Sequence, residues 1–268
     1  MKPLETPAAD VKQCCARLYE SDFAKLLLGE SFHPGGLKLT ERLGQLLQLG
    51  PSSHVLDVAS GRGTSAIFLA QHFGCEVIGL DYGPQNVAQA NDVAARQGLS
   101  ARVRFEQADA ESIPYPNSSF DAVVCECAFC TFPDKSKASD EFARVLRGAG
   151  RVGISDLTRV AELPKELDGL LAWIACIAAA EPIEEYLRCF RNSGLRPVTT
   201  EPHDNALIDM VRQIQGKLLG VEIVAGLKKI DLPGLDLAAT KQMATVALAA
   251  IQRGATRIRD HCGREAVI

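Results

Sequence analysis

Long hydrophobic runs, a surplus of basic charge, internal repeats and aromatic residues are all absent or scarce in this chain of 268 residues. No run of about 18 apolar residues occurs, so no membrane-spanning helix is expected. The opening Met1-Lys2-Pro3-Leu4-Glu5 carries an acid and no apolar stretch, so no secretory signal is expected either. Lys and Arg total 29 against 33 Asp and Glu, a formal charge of −4. A mildly acidic chain has no broad basic surface with which to neutralise a nucleic-acid backbone. These absences leave a small-molecule partner, without nucleic acid or membrane, in the cytoplasm. The nine cysteines are odd in number and too sparse for a disulfide scaffold of this length, so they are expected to be reduced.

What is present is core-forming material: 47% of the residues are hydrophobic and 23% charged. Apolar residues at helical spacing mark helices over 9–28 and 37–49. From residue 54 short apolar runs alternate with amphipathic stretches. His54-Val55-Leu56-Asp57-Val58 reads as a strand, 64–73 as a helix, 75–81 as a strand, 85–97 as a helix and 102–106 as a third strand. A fourth strand is read over 120–125, a helix over 136–146 and a fifth strand over 150–156. Helices of this length between strands require parallel neighbours and right-handed crossovers. The expected fold is α/β, a doubly wound Rossmann-like sheet whose ligand lies beyond the carboxyl ends of its strands. Three segments are expected: an N-terminal helical cap (1–50), a core (51–200) and a mainly helical C-terminal extension (201–268). In that extension the helices at 205–228 and 238–252 would form a lid or the face of a homodimer. A strand is read at 196–201, and the 256–258 stretch is ambiguous.

The strongest local signal is Val55-Leu56-Asp57-Val58-Ala59-Ser60-Gly61-Arg62-Gly63, followed by Asp81 at the end of the next strand. Glycines at a strand-to-helix turn let the backbone approach a ligand, and an acid at the second strand tip suits ribose hydroxyls. This much fits a dinucleotide or S-adenosylmethionine. Asp57 at the start of the loop favours a ligand with a cationic amino group over a pyrophosphate. The third strand leads into Ala108-Asp109-Ala110-Glu111, a carboxylate placed for an adenine amino group. Over roughly residues 35–200 the sequence resembles the class I S-adenosylmethionine-dependent methyltransferases, including Pro-Tyr-Pro-Asn-x-x-Phe-Asp before strand four. Ala59 departs from the family, which usually has Gly there. The resemblance implies that Gly61 and Gly63 contact the methionine portion and Asp81 the ribose. Tyr82 would lie beside the adenine, with Asp109 and Ala110 at its edge. Asp57, Ala59 and Cys125 complete the expected cofactor set.

The cysteines speak to the acceptor. Strand four ends in Cys125-Glu126-Cys127-Ala128-Phe129-Cys130-Thr131-Phe132-Pro133-Asp134-Lys135, a loop that faces the transferable methyl in this fold. Thiolates there would bind a soft acceptor. Together with Trp173-Ile174-Ala175-Cys176-Ile177 and Glu184-Glu185-Tyr186, the succession resembles the arsenite methyltransferases. That resemblance implies that Cys127 and Cys176 hold trivalent arsenic, whose lone pair needs no general base. The family's further Cys before the cofactor strand is missing, since His33-Pro34-Gly35-Gly36 stands there. Cys14, Cys15 and Cys130 are candidates to replace it. Cys125-x-Cys127-x-x-Cys130 lacks the second Cys or His pair of a zinc site. Glu126 and His33 are candidates to orient or deprotonate an oxygen acceptor, and Trp173 to pack in the cap or shield the sulfonium. Two further readings stand beside the thiophilic one. One is O-, N- or C-methylation of a small metabolite; the other is a soft-metal binding protein with a vestigial cofactor pocket.

Overall fold

In the computed structural model, residues 33–162, 164, 176–177, 179–228 and 237–267 are described, with Lys12, Gln13, Ala16 and Glu20 of the N-terminal segment. Most of the expected 9–28 helix, Cys14, Cys15 and Trp173 fall outside the described residues. The elements run α1 (Gly36–Leu46), β1 (His54–Val58), α2 (Thr64–Phe73), β2 (Glu76–Asp81), α3 (Pro84–Arg96), β3 (Val103–Gln107) and β4 (Phe120–Glu126). After a 3₁₀ turn come α4 (Lys135–Val145), β5 (Leu146–Arg159), α5 (Ile183–Asn192), β6 (Arg196–Pro202), α6 (Asp204–Lys228), α7 (Leu237–Gln252) and β7 (Thr256–Val267).

The strands form one seven-stranded sheet in the order β3-β2-β1-β4-β5-β7-β6. The first five are parallel neighbours, and β7 runs antiparallel to both β5 and β6. Strands covered on both faces read as unbroken apolar runs because each face needs its own core. The period of two shows this directly. Val55, Ala122 and Val124 enter one core with Leu43, Leu69 and Phe105. Leu56, Val58, Val123 and Cys125 enter the other with Phe129, Phe142 and Tyr186. Close layering depends on missing side chains. A Cβ on Gly44 of α1 would lie 2.3 Å from the Phe73 ring at the end of α2, so that glycine sets the helix–helix approach.

The doubly wound expectation holds for the sheet. The expected boundary at residue 200 falls inside β6, and the ambiguous 256–258 stretch opens a twelve-residue strand. The last segment is therefore more than a helical lid, because its final strand fills the gap between β5 and β6. Consecutive polar residues, Arg259-Asp260-His261 and Gly263-Arg264-Glu265, hide this strand from an apolar-pattern reading. The fifth strand also starts earlier than expected, at Leu146, across a register irregularity opposite Phe120 and Ala122. Among the described residues no helix is long and apolar enough to cross a membrane.

Candidate active site

A cleft of about 1140 Å³, counted to its open mouth, lies at the carboxyl ends of the first strands. This is where a doubly wound sheet leaves a crevice for a ligand. Its lining includes Asp57, Gly61, Asp81, Asp109, Glu126 and Cys127.

The donor wall begins where β1 turns into α2. Ala59, Gly61 and Gly63 all take positive φ, at 59°, 54° and 81°. Ala59 bears a Cβ in that region, a strain of about 1–2 kcal/mol that glycine would avoid. Gly63 serves packing, since a Cβ there would meet the Phe105 ring at 2.4 Å. It does not line the cleft, in contrast to the expected cofactor contact. Gly61 N donates to Asp81 Oδ2 at 2.8 Å, while Gly83 N and Asn86 Nδ2 donate to Asp81 Oδ1 at 2.8 and 3.1 Å. The strand-two acid is thus aimed by the loop it serves. Burial raises its pKa, against the lowering effect of those three bonds.

Asp57 is 2% exposed, and its Oδ2 has no hydrogen-bond partner. Burial, then Glu126 and Asp81, hold its pKa well above the usual carboxylate range. A buried acceptor without a donor is costly, and it is relieved by a cationic amino group. Ser60 Oγ, in the same loop, is also buried and unpaired. Beyond the end of β3, Asp109 Oδ1 accepts from Glu111 N at 2.9 Å, and Tyr82 and Ala110 line the cleft beside it. These orphaned acceptors, with the glycine turn and the strand-two acid, suit a ligand bearing an ammonium group and ribose hydroxyls.

Beyond Asp57 the wall changes character. Thr40 Oγ1 of α1 donates to both oxygens of Glu126, at 3.1 and 3.2 Å. His33 Nε2 lies 3.6 Å from Glu126 Oε2 and 3.3 Å from Ser65 Oγ. His33 and Glu126 are both enclosed, and both line the cleft. The candidate base and the candidate orienting acid therefore meet, although 93 residues separate them in sequence.

The thiols sit next to this pair. Cys127 follows β4 in a left-handed backbone (φ 52°), and Cys176 has φ 58°. Cys176 Sγ donates to the Cys127 carbonyl at 3.2 Å. Hydrogen bonding to Cys176, then burial, pushes the Cys127 thiol well up. Burial, then a hydrogen bond with Cys176, does the same for Cys130. Cys127 lines the cleft, with Cys130 and Cys176 buried behind it. Beneath them Asp156 Oδ2 accepts from Cys130 N at 2.9 Å, and burial, then the Cys176 thiol, pushes Asp156 up to about 7. None of the six described cysteines is in a disulfide. Among the described residues no three His, Cys, Asp or Glu side chains stand ready to hold a metal ion. The cluster is therefore a dithiol with a third thiol beside it. Cys125, expected at the cofactor, is fully buried in the core with Phe129 and Cys130 and does not line the cleft.

Sequence reasoning missed Lys12, Thr40, Ser65, Ser60 and Asp156. Ser60 lies inside the motif and was open to notice. The other four reach the site through tertiary contacts that no local spacing announces.

Residues 49–194 match the profile of a methyltransferase domain family. The chain is 31% identical over 196 residues to the 27-O-demethylrifamycin SV methyltransferase of Amycolatopsis mediterranei, covering 68% of this chain and 72% of that protein. It is 29% identical over 164 residues to the arsenite methyltransferase of Halobacterium salinarum, covering 59% of this chain and 41% of that protein. Against two other curated relatives it spans about three fifths of their length. Its fold matches geranyl diphosphate C-methyltransferase from Streptomyces coelicolor, solved with S-adenosyl-L-homocysteine. That match has a TM-score of 0.74 at 15% identity, over 95% of this chain and 97% of that one.

Proposed function

Because this chain belongs to the class I S-adenosylmethionine-dependent methyltransferases, we propose that its acceptor is a small thiophile, trivalent arsenic or a close chemical relative, held by Cys127 and Cys176. The cofactor is S-adenosylmethionine, which when bound supplies an electrophilic methyl group on a sulfonium with a good leaving group. The residues present suit it. Asp57, through its orphaned Oδ2, takes the amino group, and Asp81 takes the ribose hydroxyls. Asp109 and Ala110 take the adenine edge, with Tyr82 beside it and Ala59 and Gly61 approaching through their backbone. Methyl transfer then asks chiefly for alignment and exclusion of water.

The observation that carries the acceptor reading is the return of Cys176 to Cys127, with its Sγ 3.2 Å from the Cys127 carbonyl. Hydrogen bonding to Cys176, then burial, disfavours the charged form of the Cys127 thiol. That would hinder capture of a bare divalent cation, which needs thiolates. It does not hinder arsenous acid: two thiols exchange for two of its hydroxyls and release two waters, with no net proton. The arsenic lone pair stays free, so no side chain has to accept a proton in the transfer. Working thiols also suit the reducing cytoplasm.

The test is release of S-adenosylhomocysteine with arsenite plus a small thiol as acceptor, in the wild type and in Cys127→Ser and Cys176→Ser. Turnover that depends on arsenite and vanishes in both variants is the expected result. Absence of arsenite-dependent turnover in the wild type would refute the thiophilic reading. The second reading, methylation of an oxygen, nitrogen or carbon centre, draws on the enclosed His33–Glu126 pair. There His33 would take the proton of the acceptor and Glu126 would balance the resulting charge. A Cys127→Ser enzyme that keeps full activity on a protic acceptor, and loses it in His33→Gln, would select it. The three intact carboxylates of the donor wall weigh against a vestigial pocket, and unmeasurable affinity for S-adenosylhomocysteine would restore that idea.

A further inference from the structure

Lys12, far from every motif, lies at the adenine end of the cleft. Its Nζ is 2.9 and 2.7 Å from Asp109 Oδ1 and Oδ2, and 2.6 Å from Glu111 Oε2. An ammonium has three protons, and here each has a carboxylate oxygen. The contacts are sheltered, with the Lys12 and Glu111 side chains 14% and 8% exposed.

The acceptor count at Asp109 is informative. Oδ1 receives Lys12 Nζ and Glu111 N, which uses both of its lone pairs. Among the described residues Oδ2 receives only Lys12, which leaves one of its lone pairs. The Asp109 side chain is 33% exposed and lines the cleft. Its partner Glu111 is anchored from the other side, where Oε1 accepts from Asp134 N at 2.9 Å, at the start of α4. The carboxylate is thus fixed in rotation by two groups and has a single acceptor left for a ligand.

We propose that Lys12 is a positioning residue of the cofactor site, locking the Asp109 carboxylate so that the remaining Oδ2 lone pair receives the adenine amino group. The inference rests on the reading that Asp109 takes the adenine edge. Lys12 acts through Asp109, and the ammonium also offsets the repulsion between Asp109 and Glu111.

The experiment is a double-mutant cycle read by calorimetric binding of S-adenosylhomocysteine to Lys12→Met, Asp109→Ala and the double variant, with Lys12→Arg and Lys12→Gln alongside. Lys12→Met is expected to weaken binding about tenfold, and Lys12→Arg to restore it to within about threefold. Asp109→Ala should cost at least as much as Lys12→Met, and Lys12→Met should cost little more in that background. Lys12→Gln covers the case in which the methionine variant does not fold. A loss in Asp109→Ala with none in Lys12→Met and Lys12→Gln overturns this inference alone, as does a full additive loss in the double variant. Unchanged binding in Asp109→Ala overturns the adenine-edge reading and this inference with it.

Discussion

The two walls of the cleft are built by opposite means. The donor wall is assembled from strand tips, where Asp57, Asp81 and Asp109 each stand at or just beyond the end of one of three adjacent parallel strands, and backbone N–H groups aim Asp81. The wall proposed for the acceptor is assembled across the chain. Cys176 returns to Cys127 over 49 residues, and His33 reaches Glu126 from before α1. One wall is polar with unfilled acceptors, and the other holds thiols packed with a layer of aromatic rings. A donor common to many enzymes can be read by a local motif, whereas an acceptor peculiar to one enzyme needs long-range contacts.

Separate failure of the two walls is the largest effect expected. Cys127→Ser or Cys176→Ser should lower arsenite-dependent turnover on the order of a hundredfold or more, with affinity for S-adenosylhomocysteine unchanged by calorimetry. Joint loss of both properties would mean that the walls are one unit. Asp81→Ala should weaken S-adenosylhomocysteine about thirtyfold, or about 2 kcal/mol, through lost charge-assisted bonds. Its thiols should still titrate with a disulfide reagent at the wild-type rate.

Asp156 sharpens the contrast on the acceptor side through pH. Its folded pKa of about 7 stands above the ordinary carboxylate value of 3.8. The folded state therefore holds a proton that the unfolded chain has shed, and this contribution to stability is lost as pH rises from about 4 to 7. Asp156→Asn should accordingly stabilise the protein by about 1–2 kcal/mol more at pH 8 than at pH 4, read from denaturant midpoints. An equal effect at both pH values would place Asp156 in a wetter setting. The smallest change belongs to the donor wall. Ala59→Gly removes a left-handed Cβ and should gain about 0.5–1 kcal/mol after the entropic cost of glycine, measured by the same midpoint. A loss would mean that the Ala59 methyl packs against something the loop needs.

The sheet was legible up to β5 because strands covered on both faces must be apolar, and helices between them must show one apolar stripe. Strand β7 was not, because the consecutive polar residues Arg259, Asp260 and His261 break the apolar alternation that announces a strand. At the site, Asp57, Asp81 and Asp109 were legible from order along the chain, and the structure brings all three to one cleft. Gly63 and Cys125 were assigned by position in a motif, yet one proves to be a packing glycine and the other a core residue. Lys12 was invisible, since a single lysine in a helical stretch has the same pattern whether it faces water or two carboxylates.

The strand order carries a consequence for how the protein comes into being on the ribosome. Strands β3-β2-β1-β4-β5 are complete once residue 159 has been made, so the half that grips the nucleoside can assemble early. Strand β6 follows within some forty residues, but in the finished sheet it touches only β7, the last to be synthesised. Until then two strand edges stand open side by side, each a template for pairing with a foreign chain. A nascent molecule stalled before residue 256 would thus hold its nucleoside pocket and still be sticky, and clipping a few residues from that final strand should promote aggregation before it harms cofactor binding.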